Sequence, residues 1–182
     1  MAQEEVFLRR FSRWQADQQR EAIADLYVAA YREPPAQDPP EQPPRRRDFL
    51  NRFADEVQRP GFDMLVVGET YLTGCIYGYP VPRDDGGWWQ ALRGVVAEDV
   101  GELIASGRVF VVAELMVLPS RRRKHIAARL HERLLTRVDT NLLATLVPPE
   151  NAPARAALGS WGWAPTTADI PDLEVWTREP KR

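Results

Sequence analysis

Hydrophobic positions along the chain alternate between spacings that suit strands and spacings that suit helices. Val6 and Leu8 alternate with Phe7, and Phe11 follows among arginines, so residues 5 to 13 read as a short opening strand. Ile23, Leu26, Tyr27, Ala30 and Tyr31 recur at three and four, predicting a helix from Gln18 to Arg32. Phe49, Phe53 and Val57 predict a second from Asp48 to Arg59. Phe62 to Glu69 and Tyr71 to Val81 read as two strands of an antiparallel hairpin turning at Gly68 to Thr70. From Asp84 to Gly107 the chain becomes polar, passes Trp88 and Trp89, and regains helical spacing at Val95, Val96, Val100, Leu103 and Ile104. Val109 to Leu118 is apolar on both faces, the mark of a central strand. Pro119 ends it, and Ile126, Leu130, Leu134 and Val138 line one side of an amphipathic helix whose first turn is expected to hold Arg121 to His125. A strand over Thr140 to Val147, a short helix starting at Asn151 and a last strand over Asp172 to Glu179 complete the pattern. Strands with helices interspersed, and at least one local hairpin, predict an α/β (α+β) fold with a mixed sheet flanked by helices.

Composition narrows the picture. A chain of 182 residues suits a single domain, residues 1–182, that buries about two thirds of its unfolded surface. Six prolines within residues 33–47 forbid helix and sheet there and leave an extended loop, either a connector or a lid. Residues 84–107 form an insertion between the third and fourth strands. The single Cys75 excludes an internal disulfide framework, and a lone strand cysteine is usually core. His125 and His131, six apart without a carboxylate pattern, match no metal motif, so no metal is expected. A net charge of −2 argues against nucleic acid and anionic membrane as partners, and the basic clusters Arg45 to Arg47 and Arg121 to Lys124 lack interleaved aromatics. With no apolar run of membrane-spanning length and acids rather than a basic region at the N-terminus, a cytoplasmic location is expected.

Two features carry candidate chemistry. Glu114 is the one carboxylate on the otherwise apolar strand, where desolvation raises its pKa toward the range of a general base. Pairing with an arginine, or a wet gap in the sheet, accounts for it equally well. Arg121, Arg122, Arg123, Lys124 and His125 stand where a strand empties onto a helix N-terminus, so they form either a solvated patch or a pocket for a phosphorylated ligand.

The stretch from Glu114 to Leu135 resembles the acyl-CoA-binding motif of the GCN5-related N-acetyltransferases, Arg or Gln, two residues, Gly, one residue, then Gly or Ala. Arg122 stands at the first position, His125 at the first glycine and Ala127 at the second. The flanking L-x-V-x-P and A-x-x-L-x-x-x-L-L are similar too. Asn151, Ala154, Gly162 and Trp163 are similar to the element that follows the family's fifth strand, and Gly74 and Gly78 to its third strand. Leu158 occupies the place of the family's tyrosine, which protonates the departing CoA thiolate.

The resemblance implies a mostly antiparallel sheet of about six or seven strands with about four or five helices, splayed at the acyl-CoA site. It implies acetyl-CoA or another acyl-CoA as cofactor, with Met116 and Val117 contacting the pantetheine arm through their backbone. The amides of Arg123, Lys124, His125, Ile126, Ala127 and Ala128 would hold the pyrophosphate beside Arg122. Asn151 would reach the pantetheine and Arg155 the phosphates. Glu114 would be the base, and the acceptor an amine of a small molecule or peptide attacking the thioester directly. Tyr31, Tyr79, Trp88 and Trp89 are the candidate substrate-binding residues, although both tryptophans could instead anchor the insertion. His125 and Leu158 keep open a degenerate module that binds CoA or a partner with weak or no transfer, as monomer or homodimer.

Overall fold

The computed structural model describes residues 6–31, 46–83, 86–96 and 99–180. The prolines of residues 33–45, together with Asp84 and Asp85, lie outside the described residues. Seven strands form one sheet in the order β1-β2-β3-β4-β5-β7-β6. They are β1 (Leu8–Phe11), β2 (Asp63–Val67), β3 (Gly74–Pro80), β4 (Val109–Val117), β5 (Leu142–Val147), β6 (Ala164–Pro165) and β7 (Glu174–Arg178). The described helices are α1 (Arg13–Gln18), α2 (Arg20–Tyr31), α3 (Arg46–Glu56), α4 (Val100–Ala105), α5 (Ile126–Arg137) and α6 (Ala152–Ser160). Short 3₁₀ turns cover Trp88–Leu92 and Pro119–Arg121. β4, apolar on both faces in sequence, is the middle strand.

Contacts divide the chain into two compact units, each assembled from two stretches. The first comprises Met1–Tyr77 with Glu114–Thr136. In it β1 runs antiparallel to β2, Leu8 opposite Val67 and Phe11 opposite Met64. α1 starts earlier than the hydrophobic spacing predicts because Ser12 and Gln15 form a reciprocal cap: the Gln15 amide donates to Ser12 Oγ at 3.1 Å and the Ser12 amide to Gln15 Oε1 at 2.9 Å. Gln19 then caps α1 and separates it from α2. α2 and α3 meet through rings: Tyr27 stacks on Phe49 at 4.5 Å, Phe49 on Phe53 at 5.6 Å, and Phe53 meets Tyr77 of β3 edge-on at 5.3 Å. Between β2 and β3 the Thr73 amide donates to the Val67 carbonyl at 2.8 Å, so the connection spans more residues than the minimal turn expected.

The second unit comprises Gly78–Ala113 with Arg137–Arg182. β5 runs antiparallel to β7, and β7 carries the two-residue β6, which the hydrophobic pattern does not reveal. β4 and β5 run parallel, but their ladder comprises three rungs, Val109 to Val111 opposite Leu142 to Ala144. At the next step the Thr145 hydroxyl donates to the Val112 carbonyl at 2.8 Å, a side chain in place of a backbone rung, and the ladder stops. The core here gathers Tyr79, Val81, Trp89, Leu92, Ile104 and Val111 among others. Helix α4 begins only at Val100, where the Asp99 carboxylate accepts from the Glu102 amide at 3.1 Å; Val95 and Val96 precede it.

Gly78 is required by a close approach: a Cβ built there would lie 2.1 Å from the Val111 carbonyl oxygen and 2.6 Å from the Phe110 ring. The Gly78→Ala variant is therefore expected to lose about 3 kcal/mol or more of stability, as an overpacked core position does, measurable as a lowered urea midpoint at unchanged m-value.

Candidate active site

Glu114 stands on β4 with both carboxylate oxygens engaged. The Tyr31 hydroxyl, from the last residue of α2, donates to Oε2 at 2.8 Å. The Arg52 guanidinium, from α3, donates to Oε1 at 2.7 Å. The same guanidinium donates through Nε to Glu56 at 3.1 Å, and the Tyr77 hydroxyl reaches that Glu56 oxygen at 3.3 Å. Two carboxylates thus share one arginine, whose guanidinium carbon also lies 5.5 Å from the Phe49 ring centre and 5.8 Å from that of Tyr27. Of the arrangements the sequence left open for Glu114, the arginine pair is present, on a side chain 12% exposed.

Burial raises the Glu114 pKa above the ordinary glutamate value; the Arg52 charge and the Tyr31 hydrogen bond oppose that rise without cancelling it, and the Glu56 charge adds to it. Tyr31 is pushed well above the usual tyrosine range, first by burial and then by the Glu114 charge, so its hydroxyl stays a donor. Cys75, fully buried on β3, has its thiol pushed up by burial and then by Glu114, which keeps it protonated and unsuited to nucleophilic attack.

The basic turn follows. Its cations were expected in the first turn of a helix, but α5 begins at Ile126 and they precede it. Arg123 and His125 have φ of 63° and 59°, left-handed values that no right-handed helix accepts. His125 therefore adopts the conformation a glycine would supply at that motif position. The α5 ladder opens with the Arg129 amide donating to the His125 carbonyl at 3.0 Å, so the amides of Ile126, Ala127 and Ala128 stand ahead of it at the positive end of the helix dipole. Arg122 is tied back, Nη2 donating to the Ala30 carbonyl at the end of α2 and Nε to Val117 of β4. Arg121, Lys124, His125 and Arg129 line one side of a groove of about 910 Å³, faced by the exposed rings of Phe7 and Tyr71.

In the second unit, Asn151 caps α6, its side-chain oxygen accepting from the Ala154 amide at 3.2 Å. Arg155 donates to Glu174 of β7 at 3.1 Å. Leu158 is buried, as are Tyr79 and Trp89, whereas Trp88 is half-buried against the same core. Thus β4, α2 and α3 bring Tyr31 to Glu114, and Met116 and Val117 follow on the same strand with their side chains buried. Sequence reasoning missed Arg52 and Glu56. Glu56 was detectable as an acid continuing the Phe49, Phe53 stripe of α3, with Arg52 one turn before it. Among the described residues no cluster of ligating side chains could hold a metal, and no helix is long and apolar enough to cross a membrane.

Neither a sequence-family profile nor a curated protein sequence matches the chain. Solved structures do. An acetyltransferase from Thermus thermophilus superposes with a TM-score of 0.64 at 10% identity, covering 98% of this chain and 99% of its own. The PaiA N-acetyltransferase from Thermoplasma acidophilum, in complex with coenzyme A, gives 0.63 at 11% identity over 96% and 99%. The ribosomal-protein-S18-alanine N-acetyltransferase from Escherichia coli gives 0.58 at 15% over 97% and 96%. The chain has the GCN5-related N-acetyltransferase fold that its motif resembles.

Strain at His125 is directly testable. His125→Val places a β-branched residue at positive φ and is expected to lower stability by about 1–2 kcal/mol, whereas His125→Gly is expected to leave the thermal midpoint within a few degrees of the wild type, both read by differential scanning calorimetry.

Proposed function

We propose that the chain is an acyl-CoA-dependent N-acyltransferase, with acetyl-CoA as donor and an amine of a small molecule or peptide as acceptor. The observation that carries this reading is Glu114, an ionisable group inside the sheet of an acetyltransferase fold, oriented by donors on both oxygens. Residues of the basic turn suit the cofactor: left-handed Arg123 and His125 curl the backbone, and the leading amides of α5 point at whatever anion lies there. The amides of residues 123–128 would hold its pyrophosphate and the backbone of Met116 and Val117 its pantetheine arm. When bound, acetyl-CoA supplies an activated acyl thioester with a thiol leaving group.

Glu114 accepts the proton that the amine nitrogen sheds as it becomes acylated. Two carboxylates sharing one guanidinium carry a net negative charge, which favours a cationic amine. No cysteine adduct is needed, in keeping with the protonated Cys75.

A second reading, a CoA-binding module with slow transfer, is favoured by Leu158, whose apolar side chain offers no proton to a departing thiolate. Both readings expect acetyl-CoA to raise the melting temperature, by an amount equivalent to about 2.7 kcal/mol at a hundredfold excess over Kd; no shift with any acyl-CoA sinks both. Free-thiol release over a panel of amines separates them.

Under the enzyme reading, Glu114→Gln is expected to lower kcat about 100-fold or more. A base must be ionised, so wild-type kcat/KM should rise with pH through a pKa above the ordinary glutamate value, and this limb should vanish in Glu114→Gln. For stability the sign is opposite. Folded Glu114 keeps a proton that the unfolded chain has already released, so its contribution is complete below the ordinary glutamate pKa and is lost as pH rises through the folded one.

A further inference from the structure

Arg52 belongs to no motif, yet its guanidinium lies 2.7 Å from the Glu114 carboxylate. We propose that Arg52 is the positioning residue of this site: it anchors the Glu114 carboxylate in one orientation and supplies the positive charge that allows a carboxylate to stay ionised inside the fold. The proposal rests on the reading of Glu114 as the base, and it goes further by assigning a residue on which that base depends.

The geometry supports it in three ways. Arg52 uses two different nitrogens on two different carboxylates, Nη2 on Glu114 and Nε on Glu56, so the plane of the guanidinium is fixed at both ends. Its carbon sits near the Tyr27 and Phe49 rings, which restricts sideways motion although the side chain is 48% exposed. An ordinary surface arginine has neither constraint and contributes little to a pair. Glu114 is only 12% exposed, and such a partner favours its charged form against the cost of burial.

Several groups on three elements of the first unit act electrostatically on Glu114 or alongside it. α2 presents Tyr27 and Tyr31, α3 presents Arg52 and Glu56, and β3 presents Cys75 and Tyr77. Arg52 supplies the positive charge that lowers the Glu114 pKa, and Glu56 is a second anion sharing it. Removing Arg52 takes away the guanidinium that Glu114 and Glu56 share, and leaves the repulsion between the two carboxylates less compensated. One of them must then take up a proton at higher pH than before. A carboxylate accepts up to about four hydrogen bonds, so with Tyr31 and Arg52 in place an amine, or a water relaying its proton, still finds a lone pair on Glu114. Arg52 therefore need not leave for the base to work.

The test is a titration with a substrate-free readout. Protein labelled with [δ-¹³C]glutamate, in which the Glu114 resonance is identified by its loss in Glu114→Gln, is titrated as wild type, Arg52→Gln and Arg52→Lys. The Glu114 midpoint is expected to rise by about one unit or more in Arg52→Gln, the size expected when a neighbouring arginine is withdrawn from a carboxylate. It should rise less in Arg52→Lys, which keeps the charge and loses the fork. The acid limb of kcat/KM, measured with an amine active in the thiol-release assay, should move by the same amount, with the KM for acetyl-CoA little changed. A Glu114 midpoint that stays at its wild-type position in folded Arg52→Gln overturns the proposal. A midpoint that moves while the rate profile does not leaves the pairing intact but removes Glu114 as base, and overturns the catalytic assignment. If circular dichroism shows Arg52→Gln unfolded, Arg52→Lys decides alone: a smaller upward shift in both readouts supports the proposal, and wild-type values in both overturn it.

Discussion

A charged carboxylate inside a sheet is the constraint around which the first unit is organised. Left alone on β4, Glu114 would cost several kcal/mol of lost hydration, so the chain must bring donors to it. It does so from two helices at once, Tyr31 from the end of α2 and Arg52 from the middle of α3. The stacked rings of Tyr27, Phe49 and Phe53 hold those helices together and fix where both donors point. The arginine brings a second carboxylate, Glu56, which also accepts from the hydroxyl of the fully buried Tyr77. Polar site and aromatic core are therefore one construction, and neither could be repacked without moving the other.

How much of this was legible depends on the range of the interaction. The middle position of β4 followed from its two apolar faces, and the amphipathic stripe of α5 followed from Ile126, Leu130 and Leu134, all three buried. Both are local patterns. The cap at Ser12 and Gln15 was equally local but was overlooked, because the hydrophobic spacing that located α2 begins only at Ile23. Arg52 and Glu114 are 62 positions apart, and no short pattern announces a partner at that separation. β6 was hidden for another reason: two exposed residues, one of them proline, leave no periodicity to read.

The basic turn is a case where composition misled about conformation. Five potential cations before an apolar stripe suggested the first turn of a helix, but two of the five residues take left-handed backbone angles and delay the helix to Ile126. His125 takes a left-handed backbone angle of the kind glycine adopts freely, a region histidine tolerates better than most side chains. Resemblance to a motif can survive the loss of its most characteristic residue when the replacement reproduces the dihedral angle that residue was there to provide.

Neither unit is a continuous stretch of chain. The polypeptide leaves the first after Tyr77, returns to it at Glu114 and departs again after Thr136. Cutting the protein after Tyr77 would yield a fragment with both helices, Tyr31 and Arg52, yet without the strand that bears the carboxylate they grip. The excised piece would present an arginine with half its counter-charge and an incomplete sheet edge. Dissection at a single bond into the two units is thereby closed to this protein by its own thread.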